Sequence, residues 1–599
     1  MKGTTAVVLG VLALALAACG APTPEPPDTA SPIAPNYSAP ANPAAGQQFY
    51  FVMVDRFANG DPANDEGGLS GTRLETGYDP ADTGFFHGGD LQGVIDHLDY
   101  IQGLGTTAIW LTPVFANRPV QGDAGSASAG YHGYWVTDFS RVDPHLGTNG
   151  DLKALVAAAH EKGMKVYLDV ITNHTADLIQ LTDPRGYGGS YVSLQQYPLT
   201  AADGTVLDPT VGADTTAYPA LDPATSFPYV PERVGGDVTP DCLEPVTRYH
   251  NRGDIVWGSE DDEMYRYGDF SGLDDLATED PAVLECMTGI YEAWQDFGVD
   301  GFRVDTGRHV NMEFWTGFTA AMRAHAADNG QEFFDFAEVY LTVPSALAPY
   351  VVEGGFDGVL DFAFQKAAVS FAAGGLASEL RDLFDKDGVY ETATTDARSL
   401  VTFLGNHDMG RVGYFLQYQD EALRRDILAH ALMFFARGQP VVYYGDEQGF
   451  AGTGGDKSAR QDLFGNVAPE FVDQKLIDGT VMGTGDHYGT GGLYAAIAEL
   501  AAVRAGQAAL VDGVQVTLAA EYSVFVFARL DEAERTEVIV ALNSGKSDSE
   551  VTFTSLTPGA TYSVAWGGGS PVTAGADGAV TLTVPAIGGV VLVADRAVA

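Results

Sequence analysis

"GFRVDTGRH", Gly301 to His309, is the stretch on which the reading of this chain turns. Its first half follows apolar neighbours and reads as the end of a buried strand. Arg303 and Asp305 stand two apart, so on a strand they share one face. Arg308 and His309 then add further polar groups. Opposite charges gathered at a buried strand end need partners there, or work to do.

Outward from this stretch, short β-branched or aromatic runs alternate with helix-like segments. The strand candidates are "FYFVMV" (49–54), "TTAIWL" (106–111), "KVYLDV" (165–170) and "VDGFRV" (299–304). "FFDFAEV" (333–339), "VLDFAF" (359–364), "LVTFLG" (400–405) and "PVVYYG" (440–445) complete the set. Near-continuous apolar runs suit strands buried on both faces of a parallel sheet. "DLQGVIDHLDYIQGLG", "DLKALVAAAHEKG", "PAVLECMTGIYEAWQDFG" and "DEALRRDILAHALMFFARG" read as helices between them, several stopped by Gly. Eight such strands predict an α/β fold, a (β/α)₈ TIM barrel.

Two regions break the alternation. Residues 175–278, rich in Pro, Gly, Tyr and Asp, read as a small domain inserted in the third strand-to-helix loop. Residues 511–599 alternate in period two with turns between, which predicts a C-terminal all-β sandwich whose scattered Trp and Tyr are core. The barrel is then 47–174 with 279–510.

The chain has 599 residues and a net charge of −48, from 80 acidic against 32 basic residues. Such an anionic surface excludes nucleic acid as a partner. It fits a neutral substrate, and either plain solubility or salty surroundings explains it. At the N-terminus, Lys2 precedes the apolar run "AVVLGVLALALAAC", too short to span a bilayer comfortably and laid out as a secretory signal. Leu16-Ala17-Ala18-Cys19 resembles a bacterial lipobox, which makes 1–18 a signal peptide and Cys19 a lipidation site. An ordinary signal cleaved nearby is the alternative. Residues 19–46, rich in Pro, Ala and Ser, read as a tether. The expected location is outside the cell, anchored to a bacterial membrane only through Cys19. Cys242 and Cys286 are able to pair in an oxidising compartment, but two cysteines do not decide it.

In a barrel of this kind the active site sits at the C-terminal strand ends. Those ends carry Asp55-Arg56, then Asp169 with Asn173-His174, then Arg303 and Asp305, Glu338, Asn406-His407-Asp408 and Asp446-Glu447. Singly, each is an ordinary cap or loop group. Together they converge on one ring. Carboxylates with His and Arg suit acid–base and nucleophilic work on an oxygen-linked substrate. Glycoside hydrolysis needs one carboxyl group ionised and one protonated. Arg303 would hold Asp305 ionised, and like charges with burial would keep Glu338 protonated.

These residues resemble the α-amylase family of retaining glycoside hydrolases (glycoside hydrolase family 13) from about Phe49 to the C-terminus. "DVITNH" (169–174), "GFRVDTGRH" (301–309), "EVY" (338–340) and "FLGNHD" (403–408) are similar to its four signature regions. "GYWVTDF" (133–139), "GLDDL" (272–276) and "GQPVVYYGDEQG" (438–449) agree. The resemblance implies that Asp305 is the nucleophile, Glu338 the acid and then base, and Asp408 the residue binding sugar hydroxyls in the transition state. It implies substrate contacts from His132, Tyr134, His174, Arg303, Tyr340 and His407. Arg308, where many members have Lys, would serve the leaving side.

The resemblance also implies calcium. Asn173, Asp275 (or its neighbour Asp274) and the backbone of His309 match a site between barrel and inserted domain. Asn59, Asp61, Asn64, Asp65, Asp90 and the backbone of Gly88 match a second calcium loop with oxygen ligands. Where cyclodextrin-forming relatives carry a central aromatic, this chain has Ser271 beside Phe270, which favours hydrolysis over cyclisation. The expected substrate is an α-1,4-linked glucan, starch or maltooligosaccharides, acted on by a monomer. Alternatives are an enzyme for cyclodextrins, pullulan or short oligosaccharides with transfer, and a non-catalytic carbohydrate-binding protein.

Overall fold

The computed structural model of the chain describes residues 42–598, apart from 123–124, 208–217, 260 and 456. Cys19, the signal-like segment and most of the tether lie outside the described residues. Of the tether's expected span, 42–46 packs on the barrel: Ala44 is buried and Asn42 Nδ2 donates to Asp512 Oδ1 at 2.8 Å. Among the described residues no helix is long and apolar enough to cross a membrane.

Eight strands form the core: β1 Phe49–Val52, β2 Ala108–Leu111, β3 Lys165–Val170, β4 Gly301–Val304, β5 Phe334–Ala337, β6 Gly358–Val359, β7 Val401–Thr402 and β8 Gln439–Tyr443. Their order in one parallel sheet is β6-β5-β4-β3-β2-β1-β8-β7. A parallel bridge between Leu360 and Val401 joins the two edges, and the barrel closes. Of all these strand residues only Lys165 is partly exposed, because side chains fill the inside and helices cover the outside. Phe49 meets Tyr167 and Phe336 in the interior, with centroids 4.9 and 5.6 Å apart. Phe51 stacks on Trp110 at 3.8 Å, and the Arg303 guanidinium lies 5.4 Å over the Trp110 ring. This aromatic layer is the floor beneath the strand ends.

The covering helices start where their caps stand. Thr148 and Asp151 form a capping box for Asn149–Glu161, and Asp280 with Pro281 at the first position starts Pro281–Gln295. One expected strand is mostly helix. "VLDFAF" pairs only at Val359 and, through a single bridge, at Leu360; Asp361 then accepts the Phe364 N–H at 2.8 Å and opens the helix Phe362–Ala372. A short apolar run does not distinguish a buried strand from a buried helix; the cap does. The segment after Asp90 is also two short helices, Leu91–Asp96 and Leu98–Gly103, divided at His97.

The inserted region holds a small antiparallel pair, Ile179–Thr182 with Val230–Arg233, and short helical turns. The disulfide Cys242–Cys286, with Cα atoms 6.1 Å apart, ties it to the helix Pro281–Gln295. At the C-terminus a six-stranded and a two-stranded antiparallel sheet share one apolar core, with Val526 and Ile539 from one and Val551 and Phe553 from the other, as a β-sandwich does. Tyr562 is buried there, whereas Tyr522 is exposed.

Candidate active site

The sheet register sets the two central carboxyl groups side by side. Val304 pairs with Val170 on one side and Ala337 on the other. Asp305 and Glu338 each follow directly and so leave the sheet at the same height. The turn after β4 is locked there: Asp305 N–H donates to Val170 O (2.9 Å), Glu338 N–H to Val304 O (2.8 Å) and Gly307 N–H to Glu338 O (2.7 Å). Thr306 adopts the left-handed conformation, φ 49°, to make the reversal, an unusual setting for a β-branched residue.

Arg303, fully buried, is the hub. Its Nη1 donates to Asp169 Oδ1 at 2.6 Å and to Asp305 Oδ1 at 2.7 Å, and its Nη2 lies 2.9 Å from Glu338 Oε1. Burial pushes the Glu338 carboxyl up to about 8; Arg303 opposes this, while Asp305, Asp408 and Asp169 add to it. Glu338 is therefore protonated at neutral pH, as expected from the sequence. Burial also lifts Asp169 to about 7 against the pull of Arg303. Asp169 belongs to the polar ring, but its direct bonds to Arg303, to Tyr134 Oη (3.0 Å) and to Trp110 Nε1 (3.2 Å) were not foreseen. They depend on the pairing of Arg303 with Asp169 across β4 and β3.

Asp408 stands on the loop after β7, which Asn406 shapes by accepting the Asp408 and Met409 N–H groups. Its side chain is 44% exposed, facing the cleft, with Oδ2 3.3 Å from His407 Nε2 and Oδ1 3.0 Å from Arg460 Nη2. Partial burial alone would raise its carboxyl; His407, Arg460 and Arg303 outweigh that and hold it below the usual range.

Burial lowers His407 to about 3 and also lowers His132 and His174. All three are neutral at pH 7 and offer hydrogen bonds to an uncharged substrate rather than positive charge. The Tyr134 ring lies parallel to His407, 5.5 Å away at 1°. His132 Nδ1 accepts the Tyr134 N–H at 3.1 Å. Gly133 between them has φ 91°, and a Cβ there would sit 2.1 Å from Pro113 O, so only glycine lets the chain pass. Tyr340, 53% exposed, leans on Phe362 and lies near enough to Asp408 and Glu338 for their charges to raise its hydroxyl, after burial.

Arg308 stands apart from this group. Its Nη2 meets Asp262 Oδ1 of the inserted region at 2.6 Å, and its guanidinium lies 4.5 Å over the Tyr265 ring. His309 packs against Phe270 (5.0 Å) and Tyr265 (5.4 Å). Phe270 also stacks near His174, 5.9 Å away, while Ser271 Oγ accepts Trp257 Nε1–H at 3.1 Å. An aromatic ring thus borders the site, although Ser271 itself does not supply it.

Among the described residues no three His, Cys, Asp or Glu side chains form a ready metal cluster, so a calcium site must draw on amide and backbone oxygens. The 59–90 loop fits that demand. Asn59 Oδ1 and Asn64 Oδ1 are buried without a hydrogen-bond partner. Gly88, φ 95°, closes the cradle, since a Cβ there would lie 2.7 Å from Asn59 Nδ2 and from Asp65 Oδ1. Asp90 is largely engaged with the N–H groups of Gly60, Asp61 and Gly93, and Asp61 with that of Ala63. At the other site, Asp275 Oδ1 is buried and unpartnered, while Asp274 accepts the N–H groups of Leu178 and Ile179. Asp275 is therefore the better oxygen donor of the two. Its Oδ2 is 2.5 Å from His250 Nδ1, and Glu279 holds the other ring nitrogen at 2.8 Å. Burial would lower His250, but these two carboxylates raise it to about 10. An imidazolium already balances part of the charge that calcium would meet beside Asn173 and Asp275.

Residues 51–475 match the family model described as the alpha amylase catalytic domain. An alpha-amylase of Streptomyces lividans is 44% identical, across 99% of this chain and 65% of that protein, so the chain spans less than two thirds of that relative's length. An Anoxybacillus alpha-amylase structure is 27% identical with a TM-score of 0.66, covering 92% of this chain and 98% of the other. A cyclomaltodextrin glucanotransferase with a three-domain ABC distribution is 26% identical with a TM-score of 0.68, covering 91% and 99%. With its closed barrel, its signature segments gathered on one rim and a family match over most of its length, the chain belongs to the alpha-amylase family.

Proposed function

We propose that this chain is a retaining hydrolase of α-1,4-glucosidic bonds in starch or maltooligosaccharides. The observation that carries this reading is the single Arg303 guanidinium reaching both Asp305 and Glu338. Two carboxyl groups that each lie within 2.9 Å of one guanidinium sit on the same side of the site, as a retaining pair requires. Glu338 gives its proton to the glycosidic oxygen while Asp305 attacks the anomeric carbon and the C–O bond breaks. Water then replaces Asp305 on that carbon and returns a proton to Glu338. Asp408 and the neutral His174 and His407 bind sugar hydroxyls, and Tyr134 lies beneath the ring.

A reading with more transfer, on cyclodextrins or short oligosaccharides, is favoured by one observation: Phe270 stacks beside His174 and meets His309 edge-on, where an acceptor sugar would exclude water. Calcium, when bound, would cross-link loops rather than act on the bond; Asn59, Asn64, Asp65 and Gly88 would hold one ion, and Asn173, Asp275 and His309 another. The same reading has the protein exported and lipid-anchored at Cys19, with Cys19→Ala expected to move it from the detergent phase to the aqueous phase.

The test is release of reducing ends from soluble starch by the wild type and Asp305→Asn, with product profiles on pullulan and cyclodextrin. Equal, near-zero release by both on every substrate overturns the enzyme reading. Cyclic or lengthened products from the wild type would replace hydrolysis by transfer.

A further inference from the structure

Asp408 owes its setting to a residue 52 positions downstream. Arg460 is 5% exposed and makes three directed bonds: Nη2 to Asp408 Oδ1 (3.0 Å), Nε to His407 O (3.2 Å) and Nη1 to Tyr131 Oη (3.3 Å). The segment that presents it is pinned on both sides. Tyr443 Oη donates to Ala459 O (2.9 Å), Tyr444 Oη to Gln461 O (2.7 Å) and Arg411 Nε to Gln461 Oε1 (2.7 Å). Asp462 is held by His87 Nδ1 at 2.7 Å and by Arg56. Arg460 is thus delivered to Asp408 by a rigid frame rooted in β8 and the β1 loop.

The two oxygens of Asp408 face two different groups: Oδ1 takes a directed bond from Arg460 Nη2 at 3.0 Å, and Oδ2 lies 3.3 Å from His407 Nε2 without an aligned hydrogen bond. A half-exposed carboxylate with no directed partner would turn about its χ angles; the charged bond from Arg460 on one oxygen, with the His407 ring beside the other, limits that freedom. Of the two, Arg460 carries the permanent positive charge and makes the directed bond. We propose that Arg460 is a positioning residue for the reaction: it fixes the orientation and the ionised form of Asp408, so that Asp408 meets the sugar hydroxyls without reorganising. This rests on the reading of Asp408 under the proposed function.

The bland alternative is that Arg460 merely fastens its loop to the end of β7. The two separate in kinetics. The groups facing Asp408 are His407 on its own loop, Arg303 on β4, Glu338 and Tyr340 after β5, Tyr134 after β2 and Arg460 after β8. Arg460→Gln should lower kcat by about 10²-fold, as loss of a directed charged donor does, leave KM for maltotetraose within about threefold, and move the acid limb of kcat/KM to higher pH. Arg460→Lys should restore the acid limb, since the charge returns, but only part of kcat. In the Asp408→Asn background, Arg460→Gln should add little further loss, because the residue acts through Asp408.

Full additivity of the two changes overturns the proposal. So does a loss of kcat accompanied by an equal fall in thermal midpoint with the acid limb unmoved. A wild type that cleaves no α-glucan overturns the proposed function itself, whereas an active wild type with a fully active Arg460→Gln variant overturns this inference alone.

Discussion

Arg303 Nη2 lies 2.9 Å from Glu338 Oε1, yet that nitrogen makes no aligned hydrogen bond, while Nη1 of the same group bonds Asp169 and Asp305. The guanidinium therefore commits its directed donors to two aspartates and offers Glu338 only proximity. Burial and three carboxyl neighbours prevail, and Glu338 keeps its proton up to about 8.

That value sets the alkaline limb of the pH profile. The acid must be protonated in the free enzyme, so kcat/KM should fall as pH rises through about 8. Removing the like charge of Asp408 with Asp408→Asn lowers the Glu338 value, so the limb should move to lower pH. Measuring kcat/KM for a nitrophenyl maltooligoside against pH checks both; an unmoved limb assigns it to another group.

Glu338→Gln should cost about 10²–10⁴-fold in kcat on starch. The loss should be much smaller on a substrate whose leaving group needs no proton. Comparing starch with a dinitrophenyl glycoside reads the difference, and equal losses on the two would remove Glu338 from the acid role.

The orphaned amide oxygens of Asn59 and Asn64 predict that calcium raises the thermal midpoint. At a hundredfold excess over the dissociation constant the gain is about 2.7 kcal/mol. Asn59→Ala with Asp65→Ala should abolish much of that gain while leaving the midpoint in chelator nearly unchanged. Calorimetry with and without chelator checks this.

The Cys242–Cys286 bridge, 44 residues apart in sequence, holds the inserted region to the helix Pro281–Gln295. Replacing both by Ser should destabilise the protein by about 2–4 kcal/mol. Denaturant unfolding of the variant against the oxidised wild type measures it.

Arg308 is engaged with Asp262 and Tyr265 rather than with the carboxyl cluster. Arg308→Lys loses the planar stacking surface and the fork of donors. It should change KM for long maltooligosaccharides by less than about tenfold, with kcat on short activated substrates unchanged. A collapse of kcat would instead place Arg308 against the reacting sugar.

Much of this was legible in the sequence because it is local. Alternating apolar runs and helix stops imply the barrel, and each strand end carries its polar residue within a few positions of the last apolar one. Asp305, Glu338 and Asp408 are picked out that way, whereas the Asn and Asp oxygens of the 59–90 loop are suggested only by the family resemblance. What the tertiary structure alone decided depends on register and on distant segments. The pairing of β3 with β4 sets Asp169 against Arg303. Asp361 turns an apolar run from strand to helix by capping it. Asp262, from the inserted region, draws Arg308 away from the cluster, and Arg460 reaches Asp408 across 52 residues of chain. Sequence patterns report which groups are near one another along the chain. The orientation of a charge, and which of its neighbours it answers to, is set by partners brought in through folding.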